Sequence, residues 1–466
     1  MHNSKKIAIF APDFQIQAVS PPKKDKRRSV DTIAIEMKKF LSIATLVAFS
    51  VMAVAQSGTN TPYSQYGMGI LTDQSTGFNK GMNGLGVGSR DGGQVNVLNP
   101  ASFSSVDSLT FIFDVGMSGQ ITNFEEGGKR LNAKNANFDY AVAAFRLFKH
   151  VGLSFGVIPY SNVGYSYANT NAVGDANGTT FTNTYTGSGG FRQAYLGMGW
   201  ELFKGFSVGA TASYMWGDYD RSVINSYSDN YVNTLSKYYS AEVSDLKFDF
   251  GTQITIPFSK KSGLTLGFTY GLGKSIHADP ECKVIATNSQ TGISDTTAYV
   301  VKDGLKLPTT LSGGAMLTLN NQLRIGADYT LQKWAEVGFP DYKVNNNVPS
   351  YTLNDNYYKD RHKVTVGAEY CKNPMARNFF GRMRFRAGAS YTTPYFNING
   401  QDGPKEISVS AGLGIPLVNG WNNRSILNIS GQWVRTDATN FIKENTFRIN
   451  IGITFNERWF MKWKVD

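Results

Sequence analysis

Few side chains in this sequence are spaced for chemistry. Gly152-Leu153-Ser154-Phe155-Gly156 has the Gly-x-Ser-x-Gly spacing of a nucleophile elbow, which lifts a serine out of a sharp strand–turn–helix corner. Here it falls inside continuous strand character, so Ser154 is expected to be structural. The four histidines, His2, His150, His277 and His362, are scattered, and no two have metal-ligand spacing. Two cysteines, Cys282 and Cys371, exclude a disulfide scaffold and a cysteine-rich zinc site. The expectation is no catalytic residue, no metal, no cofactor and no enzyme activity. Charges set inside alternating stretches say more. Arg382, Arg384 and Arg386 alternate with Met383, Phe385 and Ala387; Arg361, Lys363 and Glu369 share one face of 360–371, and Arg324 and Asp328 share one face of 323–336. Guanidinium groups so aligned either hold acids from another part of the chain or take a ligand carboxylate by paired hydrogen bonds.

The elements that must position these side chains are strands. Leu264, Leu266, Phe268, Tyr270 and Leu272 alternate with Thr265, Gly267, Thr269 and Gly271. The stretches 405–416 and 446–455 repeat the pattern, with Ile407, Val409 and Leu413 in one and Phe447, Ile449 and Ile451 in the other. Period two with one apolar and one small or polar face is a strand between two environments. Fourteen such strands between 109 and 455 leave connections that alternate short and long. Phe148-Lys149-His150, Phe203-Lys204-Gly205 and Asn320-Asn321-Gln322 are short; 167–188, 220–239, 276–296 and 337–359 are long and rich in Asn, Ser, Thr, Asp and Tyr. Short periplasmic turns, long outer loops and an even strand number predict an all-β, 14-stranded antiparallel transmembrane β-barrel. The stretch 297–319 is read as one strand with Pro308 at a bulge. Cys282 then falls in an outer loop and Cys371 near an inner turn, too far apart to bridge. Arginine on the lipid face costs about 2–4 kcal/mol at mid-bilayer, so Arg324, Asp328, Arg361, Lys363, Glu369, Arg382, Arg384 and Arg386 are luminal candidates. Tyr214 with Trp216, Trp334, Trp433, Trp459-Phe460 and Trp463 are expected in interfacial girdles.

Composition agrees. Of 466 residues only 17% are charged, while Gly 48, Phe 30 and Tyr 24 speak against both disorder and a helical bundle. Met37-Lys38-Lys39, an apolar run from Phe40 and Ala53-Val54-Ala55 before Gln56 read as a signal peptide over 37–55. Residues 1–36 are expected to be an upstream extension, with translation starting at Met37. Removing 1–55 takes nine of the 46 Lys/Arg and four of the 35 Asp/Glu, so the formal +11 becomes +6. That mild balance excludes nucleic acid as a partner.

Residues 56–108 hold nine glycines between Gly67 and Gly93, followed by Asn99-Pro100-Ala101-Ser102. Backbone this irregular cannot face lipid and is expected as an N-terminal hatch inside the lumen. Gly81-Met82-Asn83-Gly84-Leu85-Gly86-Val87-Gly88, then Asp91-Gly92, then Asn99-Pro100-Ala101 resemble the hatch of long-chain fatty-acid transporters of the FadL type. Leu307-Pro308, Gly313-Gly314, Asp328-Tyr329-Thr330 with Trp334 and Gly388-Ala389-Ser390-Tyr391-Thr392 resemble that family's later strands. The resemblance implies a fourteen-stranded barrel plugged by its hatch. It also implies uptake of fatty acids or other hydrophobic compounds, released sideways through the wall or by way of the hatch. Gly84, Gly86, Gly88, Asn99, Pro100 and Ala101 are the hatch-motif residues it points to. No ligand-contact residues of the family find a clear match.

The expectation is passive uptake of a hydrophobic small molecule by an outer-membrane barrel, 56–108 forming the hatch, 109–455 the barrel and 456–466 a periplasmic tail. Outer-membrane lipids are its surroundings. The alternative, from one branch of the same barrel type, is a barrel serving as partner or scaffold of a secretion or surface-assembly machine.

Overall fold

The computed structural model of the chain describes residues 58–174, 178–417 and 424–458. The expected leader and upstream extension lie outside the described residues, as do Trp459, Phe460 and Trp463. Fourteen strands make one antiparallel barrel: β1 Thr110–Glu126, β2 Lys129–Phe148, β3 Val151–Pro159 continued as Ser161–Ala172, β4 Thr180–Phe203, β5 Phe206–Tyr227, β6 Thr234–Pro257 and β7 Gly263–Gly271, then β8 Thr310–Leu319, β9 Leu323–Gln332, β10 Arg361–Tyr370, β11 Arg384–Thr392, β12 Lys405–Leu417, β13 Ser425–Asp437 and β14 Lys443–Arg458. The last strand pairs with the first from Thr110↔Arg458 to Glu125↔Lys443 and closes the barrel. No helix among the described residues is long and apolar enough to cross a membrane.

The alternation is inverted relative to a soluble barrel, with apolar residues outward and small or polar ones inward. Phe268, Val409 and Ile449 are 49%, 47% and 59% exposed, whereas Thr265, Ser408 and Asn450 are 8%, 1% and 3%. Lipid replaces a packed apolar core on the outside, and the hatch occupies the inside. From Pro62 to Ser105 the hatch contributes two short 3-10 turns, a single helical turn over Gly77–Lys80 and a two-residue strand, Ile70–Leu71.

Several expectations are corrected. The stretch 297–319 is not one strand: only Thr310–Leu319 crosses, while Ser294–Val300 pairs with Glu281–Thr287 in an outer hairpin and Leu305–Leu307 pairs with Lys274–Ile276. Pro308 has no N–H to give a ladder, and the chain leaves the wall there. The count of fourteen survives because the extra pieces stand in the outer loops. Those loops are themselves partly strand, since β4 and β5 run on through 180–188 and 220–227. The last strand reaches Arg458, so the tail begins later than residue 456. Trp334, expected in a girdle, is fully buried.

Candidate functional site: a filled lumen and a seam in the wall

At the periplasmic end the hatch is held by charge. Arg324 lies near the start of β9, Glu369 near the end of β10, and Arg384 and Arg386 at the start of β11, so the antiparallel register brings all four together. Arg384 Nη1 donates to Asp91 Oδ2 of the hatch at 3.0 Å and to Glu369 Oε1 at 3.2 Å. Arg324 Nη1 reaches the same Asp91 oxygen at 3.2 Å, and its Nη2 donates to Ser89 Oγ and to the Arg90 carbonyl. Arg386 Nε donates to Glu369 Oε2 at 2.6 Å and Nη1 to Asn428 Oδ1 at 2.6 Å. Burial alone would raise the Asp91 carboxyl, but Arg384 and Arg324 hold it well below the usual carboxylate range. Arg382 is not on the strand; it ends a helical turn, Phe379–Arg382, in the periplasmic connection after β10.

In the middle of the lumen the hatch touches the wall through backbone. Asp328 Oδ2 accepts from the Gly86 and Val87 N–H groups at 2.6 and 2.8 Å. Gly84 turns the chain with φ +87°, a left-handed conformation that glycine adopts at no steric cost. Gly88 rests on the Ala315–Met316 backbone, and a Cβ on Gly388 would run into the backbone of Met82. Asn99 caps the 3-10 turn beginning at Pro100 by accepting from the Ala101 N–H at 3.0 Å, while its Nδ2 donates to the Val87 and Thr252 carbonyls at 2.9 and 3.1 Å. The Asn-Pro-Ala triplet thus turns the hatch and ties it to β6.

The outer end is closed by aromatic side chains. Trp334 packs against Tyr358 and Tyr395 with ring centroids 4.9 and 5.0 Å apart, and Tyr66 stacks on Phe396 at 5.1 Å. Arg221 lies 4.2 Å from the Tyr219 ring and donates to the Gly67 carbonyl at 2.5 Å, while the Gly67 N–H donates to Tyr357 Oη at 3.1 Å.

Beside this cover the barrel wall is interrupted. β2 pairs with β1 along its length but with β3 only from Ala141↔Val157 to Phe148↔Val151. At Tyr160 β3 breaks; its outer half pairs with β4, and the outer half of β2, residues 129–140, has no ladder partner on that side among the described residues. The hatch fills the resulting seam. Ile70 and Leu71 pair with Asn162 and Ser161. Ser64 Oγ accepts from the Gly164 N–H at 3.0 Å and donates to the Gly164 carbonyl at 3.2 Å. Tyr167 Oη donates to Gln65 Oε1 at 3.0 Å. Gly58 sits against Asn137 and Asn162, and Asn60 meets the Asn135 amide. The hatch backbone thus bonds the β3 edge, whereas it meets β2 through the side chains of Asn135, Asn137 and Tyr140.

Under the seam lies a chamber of about 200 Å³, lined by Leu71, Asp73, Ile158, Tyr160, Arg361 and Lys363 among others. Lys363 is 3.7 Å from Asp73, whose carboxyl is pulled below its ordinary range by Lys363 and Lys80 against the effect of burial. Arg361 Nη1 donates to Gln332 at 3.2 Å and has no acid partner among the described residues. The structure therefore separates the charged residues read from the sequence. Arg324 and Arg384 bind the hatch at Asp91, Arg386 reaches its Gln94 at 3.5 Å, Glu369 holds the three arginines, Asp328 carries the hatch backbone, and Arg361 and Lys363 face the chamber. The seam has no counterpart in the sequence reading, although Pro159, inside β3, is a signal for a break.

A family model described as BamG matches residues 37–466. No curated protein matches the chain. The structure of the Pseudomonas putida toluene transporter TodX is similar with a TM-score of 0.58 at 13% identity, covering 84% of this chain and 99% of its own. The Ralstonia pickettii toluene transporter TbuX gives 0.55 at 12%, covering 81% and 96%, and a Pseudomonas aeruginosa FadL homologue gives 0.54 at 12%, covering 83% and 99%. At these identities the likeness is one of fold. With its apolar outer face, the chain is a multi-pass β-barrel of the outer membrane.

Proposed function

The chain belongs to the BamG family, and from its hatch and wall we propose that it admits hydrophobic small molecules passively across the outer membrane and releases them sideways between β2 and β3. The seam carries this reading: it is the one stretch of described wall that the hatch, and not a neighbouring strand, completes. A ligand captured at the aromatic outer end reaches the chamber by displacing residues 58–71, and leaves through the space they vacate. Burial of apolar surface at roughly 25 cal/mol per Å² supplies the driving force without an energy source. The chamber, about 200 Å³, is smaller than the ~300–1,000 Å³ usual for a ligand pocket, so a long chain requires the shutter to move. Toluene, the compound in the names of two proteins of this fold, is a smaller cargo. A fatty acid adds a carboxylate for which Arg361, free of acid partners, is the receptor.

A double variant tests the route. Leu71→Cys and Ser161→Cys face each other across the two-residue ladder, with Cys282 and Cys371 replaced by alanine. Oxidised protein in liposomes should lose fatty-acid uptake at least tenfold and regain it on reduction. Undiminished uptake with the disulfide formed would remove the sideways route.

One observation favours the partner role. Asn60, Asn135, Asn137 and Asn162 line the seam, and amides suit a polypeptide better than an alkyl chain. A stable complex with a large partner protein, and no lipid-dependent phenotype on deletion, would support that reading.

A further inference from the structure

The periplasmic rim repeats one pair of residue types that uptake does not use. Phe148 is followed by Lys149, Phe203 by Lys204, and Phe258, two residues on, by Lys260 and Lys261. In the longer turn after β10, Lys372 and Arg377 accompany Phe379 and Phe380. Phe148, Phe203, Phe258 and Phe380 are 67%, 63%, 62% and 73% exposed, and the basic residues beside them are exposed as well. The turns 148–150, 203–205, 258–262, 320–322 and 371–383 contain no Asp or Glu. Glu201, the acid nearest the first two turns, is taken by His150 Nδ1 at 2.9 Å and by the Gly205 N–H at 3.1 Å. None of the six exposed basic side chains forms an ion pair among the described residues.

We propose that these Phe–Lys pairs bind anionic phospholipid of the periplasmic leaflet, the ring seated among acyl chains and the ammonium or guanidinium on the headgroup phosphate. The arrangement fits that ligand in two ways. A long cationic stem can lie along apolar surface while its head reaches the polar layer, which is where a phosphate stands above a buried phenylalanine. The pairs also recur after β2, β4, β6 and β10, so they are spread around the barrel. A single acidic protein would engage one sector, whereas a lipid annulus engages them all. The inference is independent of what the lumen carries.

Native mass spectrometry of the full-length barrel, released from micelles holding equal phosphatidylglycerol and phosphatidylcholine, reads the retained ratio directly. Wild type should keep phosphatidylglycerol in preference. The variant Lys149→Gln/Lys204→Gln/Lys260→Gln should lose that preference by about fivefold per charge removed, and added salt should act in the same direction. An outer-loop control, Lys302→Gln/Lys343→Gln, should keep the wild-type ratio. Equal retention of the two lipids by wild type, or a wild-type ratio in the rim variant, would overturn the proposal. So would an equal loss in the control. A photoreactive residue at Phe380 in cells should yield phospholipid adducts; a protein adduct in their place would assign the rim to a partner instead.

Discussion

Removing Asp91 should free the hatch and leave the barrel standing. Its carboxylate, 15% exposed, receives Arg384 at 3.0 Å and Arg324 at 3.2 Å. Deleting one member of a buried charge cluster costs about 3–5 kcal/mol, because the partners left behind are uncompensated. Arg384 and Arg324 would still have Glu369 at 3.2 and 3.5 Å, so the lower end, about 3 kcal/mol, applies. At 1.4 kcal/mol per decade this is roughly a hundredfold rise in hatch opening. Hydrogen exchange reads it at the amides of Gly86 and Val87, which are bonded to Asp328 and not to Asp91. Amides of β12–β14 far from the cluster should exchange as in wild type. The double variant Asp91→Ala/Arg384→Ala should cost less than the sum of the singles, since removing both partners leaves less charge unpaired. Hatch exchange within twofold of wild type in Asp91→Ala would refute the reasoning. Equal loosening of barrel and hatch would show that the cluster supports the wall instead.

Four further outcomes can be checked. Arg361→Ala should weaken fatty-acid binding by about 1.5–3 kcal/mol, the worth of a hydrogen bond to a charged group, with toluene binding unchanged in the same fluorescence-displacement assay. Gly388→Ala places a methyl on the Met82 backbone and should loosen the hatch by about 1–3 kcal/mol, as overpacking does, read by the same exchange experiment. Because the folded-state pKa of Asp91 lies below its unfolded value, its contribution is complete above about pH 4 and is lost only as pH falls through the lowered folded value. The difference in hatch exchange between wild type and Asp91→Ala should therefore be constant from pH 8 to about pH 5, and a change in that difference within the window would contradict the ion-pair assignment. Trp334→Ala, a fully buried indole, should cost about 3–5 kcal/mol and show as protease sensitivity of the 337–359 loop.

The barrel was legible in the sequence because lipid enforces its rule residue by residue. Each outward position of the strand 446–455 must be apolar and each inward one small or polar, and loop lengths then count the strands. The same rule keeps the charges of β9, β10 and β11 off the lipid face, but it does not apply to Arg382, which stands in a turn. Which of the charged residues bind the hatch was not legible, since Arg361 and Arg384 look alike along their strands and differ only in what the register places opposite them. Asp91 stands next to Gly92 in a region without periodicity, so nothing local announces its two arginines. Trp334 was misread because tryptophan at a strand end is common at interfaces, and burial depends on Tyr358 and Tyr395 arriving from other loops. The seam was hidden for a related reason: a strand's own pattern is blind to whether its neighbour is another strand or the hatch. Pro159 and the break at Tyr160 were its only local trace.

The hatch is fastened differently toward the two exits. Leaving through the periplasmic floor requires breaking the buried cluster of Asp91, Glu369 and three arginines, together with the backbone bonds to Asp328. Moving residues 58–71 breaks a two-residue ladder and the separate hydrogen bonds of Thr61 with Glu444, Tyr63 with the Ile442 carbonyl, Ser64 with Gly164, Gln65 with Tyr167, Gly67 with Tyr357 and Arg221, and Gly69 with Tyr395, and it uncovers the buried side chains of Tyr63 and Met68. Each such bond contributes about 0.5–1.5 kcal/mol, and together with that burial they set the cost of the sideways path. It has a consequence for how long the seam can stay open. A hydrocarbon cannot satisfy the β3 backbone groups that the shutter leaves, and in lipid each stays several kcal/mol uphill. Under the transport reading the shutter must return after each molecule, and spin-label distances between Asn132→Cys and Thr170→Cys should show a minor, short-lived open state that grows with ligand. A partner's strand could satisfy both edges and hold the seam open in a long-lived state, insensitive to fatty acid. The lifetime of the open seam, more than its existence, separates conduit from scaffold.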